Sequence, residues 1–172
     1  MNEVFVIDAL RTPFGSFGGS LADVPAPQLA ATVTRALLER HKLDPAALDQ
    51  FIAGQVLTAG SGQAPARQAM RGAGVPDGVA AMTINKVCGS GLKAVALADQ
   101  AIRAGDKECV IAGGMENMSL APMALPKARW GHRMELTGIG DIYDLMVFDG
   151  LYEIFYGYHM GVTAENLAGL YG

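Results

Sequence analysis

The pattern that narrows the fold furthest is an alternation running through the first two thirds of the chain. Short apolar runs of β-branched and aromatic character take turns with longer stretches of helical spacing. "VFVIDA" (Val4–Ala9) reads as a buried strand, and "RTPFGSFGGS" then breaks the chain with glycines and a proline. Leu29, Val33, Ala36 and Leu37 recur at helical intervals, so "PQLAATVTRALLERH" reads as an amphipathic helix. Asp44-Pro45 pairs an N-cap with a proline at the first helical position and predicts a short helix. "FIAGQVL" is a second strand, "APARQAMRGAG" a short helix closed by glycine, and "AAMTIN" a third strand. A helix over Ser90–Ala104 follows, then "ECVIAGG" as a fourth strand. Strands separated by helices pair in parallel, because only a crossover connection can bring the chain back to the same end of the sheet. The expected fold is therefore α/β, a mostly parallel sheet with helices on both faces.

The Ser90–Ala104 segment places Gly91, Ala94, Val95, Ala98, Ala101 and Ile102 on one side, with Lys93, Asp99, Gln100 and Arg103 grouped on another. Leu92, Ala96 and Leu97 extend the apolar circumference, so this helix is expected deep inside the protein. Charged residues are 17% of the chain and hydrophobic ones 51%. That low charge predicts that part of the surface is covered by another chain. The net charge of −4 comes with no basic run, which gives a nucleic-acid partner no electrostatic support. No apolar stretch reaches the roughly 18–20 residues that span a bilayer. The opening "MNEVFVIDALRTP" lacks the basic head and apolar core of an export signal. Two cysteines do not make a disulfide framework in a chain of this length, so reduced thiols in a cytoplasmic setting are expected.

Composition changes after Gly114. Trp130, all five tyrosines, Phe148 and Phe155 lie beyond residue 120, and Pro122 and Pro126 open the segment. An irregular, aromatic-rich excursion suits recognition of a ligand or partner better than closure of a sheet. The expected division is an α/β core over 1–118 and a partial loop domain over 119–172.

Chemistry concentrates in "MTINKVCGSGLKAVALADQAI", where Cys88 sits between a strand and a helix. "GSGLKA" satisfies the G-x-G-x-x-A pattern of a dinucleotide-binding turn. However, Lys86, Val87 and Cys88 separate the strand from the first glycine, and "CVIAGG" ends without the expected acidic residue. A second reading is covalent catalysis. A thiolate is the attacking species, and a helix N-terminus favours negative charge on both the thiol and an oxyanion. Glycines at 89 and 91 would permit a sharp turn and leave room for a substrate, as in the nucleophile elbow of serine hydrolases. The third reading is a small buried cysteine with packing glycines. Cys109, inside a predicted strand, takes that reading outright.

"NKVCGSGLKAVALADQAI" closely resembles the nucleophile segment of thiolases, particularly biosynthetic acetyl-CoA acetyltransferases. The similarity continues in order through "VIDALRTPFGSFGGSL", "GQAPARQA", "AGGMENMS" and "DGLYEIFYGYHMGVTAEN", nearly the whole chain. The resemblance implies a thiolase-like N-terminal half with the start of an inserted loop domain. It makes Cys88 the acyl-accepting nucleophile for the joining of two acetyl-CoA molecules into acetoacetyl-CoA, or its thiolytic reverse. It places Leu151, His159 and Met160 along the pantetheine and acyl pocket, with His159 as a wall and hydrogen-bonding group rather than the base. Lys127, Arg129 and Arg133 have two readings, contacts to the coenzyme A phosphates or a solvated loop, and the solvated loop is preferred for each. No cofactor or metal is implied, because the coenzyme A thioester is itself the substrate. The family's base histidine, its oxyanion asparagine, its second cysteine and the fifth strand of its first half belong to later segments. The resemblance thus implies a complementary chain carrying the C-terminal half, or a truncated piece, and a dimer of dimers with "GQAPARQA" near a subunit contact. A β-ketoacyl synthase and a non-catalytic coenzyme A-binding or assembly module are the alternatives.

Overall fold

The computed structural model describes residues 2–172, which form two compact units, 2–120 and 121–172. The division falls two residues beyond the one expected from composition.

The first unit is built on helix α1 (Ala26–His41), strand β1 (Gln50–Gly54), helix α2 (Pro65–Gly72), strand β2 (Ala80–Ile84), helix α3 (Ser90–Ala104) and strand β3 (Val110–Gly114). The sheet order is β2-β1-β3, with both pairings parallel. Side chains alternate across β1 as a strand requires. Phe51 and Ala53 join Ala66, Ala69 and Met70 of α2 and Ala31 and Leu38 of α1 in the larger core. Ile52 faces the other way and packs on Ala94 and Ala98 of α3. Helices therefore cover both faces, as the alternation predicts. Met70 and Ile52 are the largest side chains wholly removed from water and fix the two halves of the core.

Local chemistry sets the ends of these elements. The left-handed Lys42 closes α1, with the Leu43 N–H reaching back to the Leu38 carbonyl at 3.0 Å. Asp44 caps its neighbour by accepting from the Ala46 N–H, but the turn it starts is a three-residue 3₁₀ helix, Pro45–Ala47. Thr83 on β2 accepts the Ala66 N–H at 3.0 Å, so the sheet itself caps α2. Gly105, at φ 85°, ends α3.

Two expectations fail here. Val4–Ala9 is not a strand. Phe5, Val6 and Ile7 are 71%, 81% and 78% exposed, and the segment lies outside the three-stranded sheet. Strand propensity describes fit to a half-buried pleated surface, and a run with no partner edge gains nothing from it. Side chains tether the segment instead: Asn2 donates to the Ile102 carbonyl, and Asp8 takes hydrogen bonds from Arg40 and His41 at the end of α1. Nor is α3 deep inside. Its buried residues are Ser90, Ala94 and Ala98, while Leu92 is 78% exposed and Val95 is 43% exposed. The small-residue stripe meets the sheet, and among the described residues no other element of this unit covers the exposed Leu92 and Val95.

Asp49 stitches the entry to β3. Its carboxylate accepts the N–H groups of Glu108 and Cys109 at 2.8 and 3.0 Å, and its own N–H donates to the Cys109 carbonyl. The Cys109 and Glu108 bonds hold the Asp49 carboxyl below its usual pKa. The Asp8 carboxyl is likewise lowered from 3.8 to about 2, chiefly by the His41 bond and then by the Ala9 N–H. A depressed carboxylate pKa contributes stability that is complete above the unfolded value and disappears as pH falls through the folded one. Acidification from about pH 4 to below pH 2 is therefore expected to loosen both tethers. The protection factors of the Glu108 and Cys109 amides, relative to their intrinsic exchange rates at each pH, should fall over that range, and Asp49→Asn should abolish the acid-dependent part of the change.

The second unit contains two short antiparallel pairs. Strand β4 (Met123–Ala124) pairs with β5 (Tyr143–Asp144), and β6 (Tyr152–Glu153) pairs with β7 (Tyr158–His159). A single helical turn, α4 (Leu145–Phe148), and a longer helix, α5 (Met160–Tyr171), complete it. Tyr143, Phe148 and Tyr152 stack in succession, with ring centroids 4.8 and 6.1 Å apart. The aromatic-rich segment is thus loop-dominated, as its composition indicates. Lys127 pairs with Glu135 on its surface.

Candidate active site

Parallel strands deliver their C-terminal ends to one edge of the sheet, the usual place for chemistry in α/β folds. Gly54, Ile84 and Gly114 lie in register there. From β2 the chain runs through Asn85, Lys86, Val87, Cys88 and Gly89 into α3. Cys88 is exposed, two residues ahead of the first helical residue, and no side chain caps the helix N-terminus. The thiol therefore lies beside the N–H groups of a helix start, where negative charge is favoured. The thiol opens to solvent rather than into a closed cavity. A neighbouring cleft is lined by Gln55, Thr58, Thr83, Ile84 and Asn85 and ends at the start of α2.

Neither Gly89 nor Gly91 makes the sharp turn expected of them. Gly89 has φ −85°, and the left-handed residue is Val87, at φ 46°. A β-branched side chain in that region is an outlier costing about 1–3 kcal/mol, tolerated only where the surroundings dictate it. Here both polar atoms of the Val87 backbone are held. Its N–H donates to Asn85 Oδ1 at 2.8 Å, and its carbonyl accepts the Ser90 hydroxyl at 2.6 Å and the Ser90 N–H at 3.0 Å. Ser90 Oγ also accepts the Lys86 N–H at 2.8 Å.

The glycines act through packing. A methyl group placed on Gly54 would lie 2.6 Å from the carbonyl carbon and Cβ of Ser90, and one on Gly114 would lie 3.3 Å from the Gly91 Cα. Bare backbone at these points lets the first turn of α3 press onto the strand ends. Glu116 and Asn117 secure the same edge. The Glu116 carboxylate accepts the N–H groups of Val56 and Leu57 at 2.8 and 3.2 Å. Asn117 Nδ2 reaches the carbonyls of Leu21, Ala22 and Val24. From the sequence, Asn85, Ser90 and Asn117 have no assigned role, and Glu116 counts only as an acidic residue too late for a dinucleotide site. The signal that could have found the first two is their type, since Asn and Ser flanking a turn at short offsets bond readily to nearby backbone.

Leu151, His159 and Met160 meet in the second unit. The Met160 N–H donates to the Leu151 carbonyl at 2.8 Å, closing the β6–β7 hairpin, and His159 pairs across it with Tyr152. His159 Nδ1 accepts the Gly161 N–H at 2.9 Å and caps α5. Leu151 is half-buried, and His159 and Met160 are exposed. Cys109 is half-buried against the larger core, and burial, aided by the nearby Asp49 charge, raises its pKa. Among the described residues no group of His, Cys, Asp or Glu is arranged to hold a metal ion.

The first unit is thus a parallel α/β sheet with an exposed cysteine between the C-terminal end of β2 and the start of α3. Residues 4–172 match the thiolase N-terminal domain, and the chain belongs to that family. It is 59% identical, over all of its length, to an acetyl-CoA acetyltransferase of Pseudomonas aeruginosa. It is 58% identical to one from Cupriavidus necator, over 172 residues, and 53% identical to one from Escherichia coli, over 173. In each case it spans 43% of the relative's length.

Proposed function

We propose that this chain carries the nucleophilic half of an acetyl-CoA C-acetyltransferase, with Cys88 as the acyl acceptor. In the first half-reaction the Cys88 sulfur attacks the acetyl-CoA carbonyl carbon. A new C–S bond forms, the bond to coenzyme A sulfur breaks, and coenzyme A leaves with the proton given up by the thiol. In the second, the α-carbon of another acetyl-CoA, its proton removed, attacks the Cys88 thioester. The new C–C bond yields acetoacetyl-CoA and frees the sulfur, and thiolysis is the reverse. A two-step route through a covalent intermediate predicts ping-pong kinetics.

The observation that carries the reading is the exposed thiol before the uncapped N-terminus of α3, where backbone N–H groups can hold an oxyanion. The names of the relatives favour acetyl transfer over the β-ketoacyl synthase and the non-catalytic alternatives. In this reading Leu151, His159 and Met160 line the acyl and pantetheine channel, and the coenzyme A thioester is the sole small-molecule requirement.

A base for the thiol and one for the α-proton come from a complementary part carrying the rest of the thiolase fold. The open edge of β3 and the uncovered faces of α3 support such a partner. A dimer of dimers in the cytoplasm is the accompanying proposal. The exposed, unpaired thiol fits a reducing compartment, and no helix among the described residues is long and apolar enough to cross a membrane.

Mass spectrometry after exposure to acetyl-CoA tests the assignment. The expected result is one acetyl group on the peptide containing Cys88. Acetylation confined to a different residue, or none in the completed assembly, overturns it.

A further inference from the structure

We infer that Asn85 and Ser90 are positioning residues for the nucleophile: together they hold Val87 in its left-handed conformation, and that turn aims the Cys88 thiol. The inference rests on the acyl-transfer reading of Cys88 and goes beyond it by assigning two residues that act through the Val87 backbone.

The chain has to leave β2 and enter α3 within five residues while keeping Cys88 outside the packed interface. It does so by bending at Val87, a residue type that avoids φ 46° when free to choose. A side chain grips each end of the bent residue. Asn85 Oδ1 accepts from its N–H, and Ser90 Oγ donates to its carbonyl while accepting from Lys86, so one hydroxyl ties the residue before the bend to the residue at its centre. Ser90 is buried and therefore anchored, and Asn85 Nδ2 reaches toward the Val56 carbonyl after β1. The left-handed turn is thus referenced to the sheet on one side and to the helix on the other. Cys88 is the residue immediately following the bend, so a relaxed Val87 redirects its sulfur.

A glycine at 87 adopts positive φ without strain and has no need of either grip. This gives a test that separates positioning from general destabilisation. In the full chain, joined to its complementary part where available, Asn85→Ala and Ser90→Ala are each expected to slow Cys88 acetylation per folded molecule by about tenfold or more. In a Val87→Gly background the same substitutions should change the rate less than about threefold, because glycine holds the turn unaided. Asn85→Ser, which keeps an oxygen in reach of the Val87 N–H, should retain most of the rate.

The conformation itself is read by NMR. The strong intraresidue Hα–HN cross-peak of a left-handed Val87 should weaken in both alanine variants. Acetylation at the unsubstituted rate in those variants, a persistent cross-peak, or failure of Val87→Gly to rescue overturns the positioning role. Absence of acetylation in the unsubstituted assembly overturns the acyl-transfer reading instead, while the cross-peak still decides whether the two side chains set the turn.

Discussion

Gly54→Ala should lower the stability of the first unit by about 3 kcal/mol, the upper part of the range for overpacking a tight interface. The added methyl would sit 2.6 Å from Ser90 and 2.8 Å from the Gly91 nitrogen, and both neighbours are backbone or held tightly to it. A flexible side chain could swing aside, but the first turn of α3 cannot move without shifting the rest of the helix, whose Ala94 and Ala98 pack on Ile52. Urea unfolding followed by far-ultraviolet circular dichroism reads the change. Gly78→Ala is the control, since a methyl there meets nothing within 4 Å and should change stability by less than about 0.5 kcal/mol. Equal midpoints for the two variants would show that the close approach has more slack than the coordinates imply. Because the displaced turn begins with Ser90, the Gly54 variant should also acetylate Cys88 more slowly than its folded fraction explains.

Cys88→Ala has the opposite profile, leaving the fold intact and removing the chemistry. The side chain is exposed and contributes no packing that alanine would forfeit, so stability should stay within about 0.5 kcal/mol of the parent. Acyl transfer in the completed assembly should fall by at least about 10³-fold, the scale on which loss of a covalent nucleophile is felt. Isotope exchange between acetyl-CoA and labelled coenzyme A isolates the first half-reaction. A variant that sustains this exchange at more than a few per cent of the parent rate would move the acyl group to another residue.

The parallel α/β core could be read from the chain because its causes are local and periodic. The Ser90–Ala104 helix carries its own boundaries: Gly105 closes it, and the small stripe that meets the sheet recurs at helical spacing. Val4–Ala9 has the composition of a buried strand, but strand formation depends on an edge to pair with, and this run pairs with none. The depth of α3 was misjudged for a related reason. An apolar circumference says what a helix can bury, and only the neighbouring elements decide how much of it is buried.

At the site, type and order pointed to Cys88, since a cysteine between strand and helix has few geometries available. The flanking glycines were assigned the bend that Val87 makes, because positive φ is ordinarily glycine's province. The side-chain grips that permit a valine there are tertiary in origin and leave only a faint compositional trace. Leu151, His159 and Met160 came from resemblance alone, and the hairpin explains why residues eight or nine positions apart act as one local cluster.

The contrast between the two thiols has a practical outcome. Cys109 is sheltered beside a carboxylate that discourages its ionisation, whereas Cys88 stands in open solvent. A limiting dose of an electrophile near neutral pH should therefore mark one sulfur per chain, which makes the molecule a ready-made single-site label. A fluorophore attached there would report the arrival of any complementary chain at the sheet's business edge before a single turnover takes place.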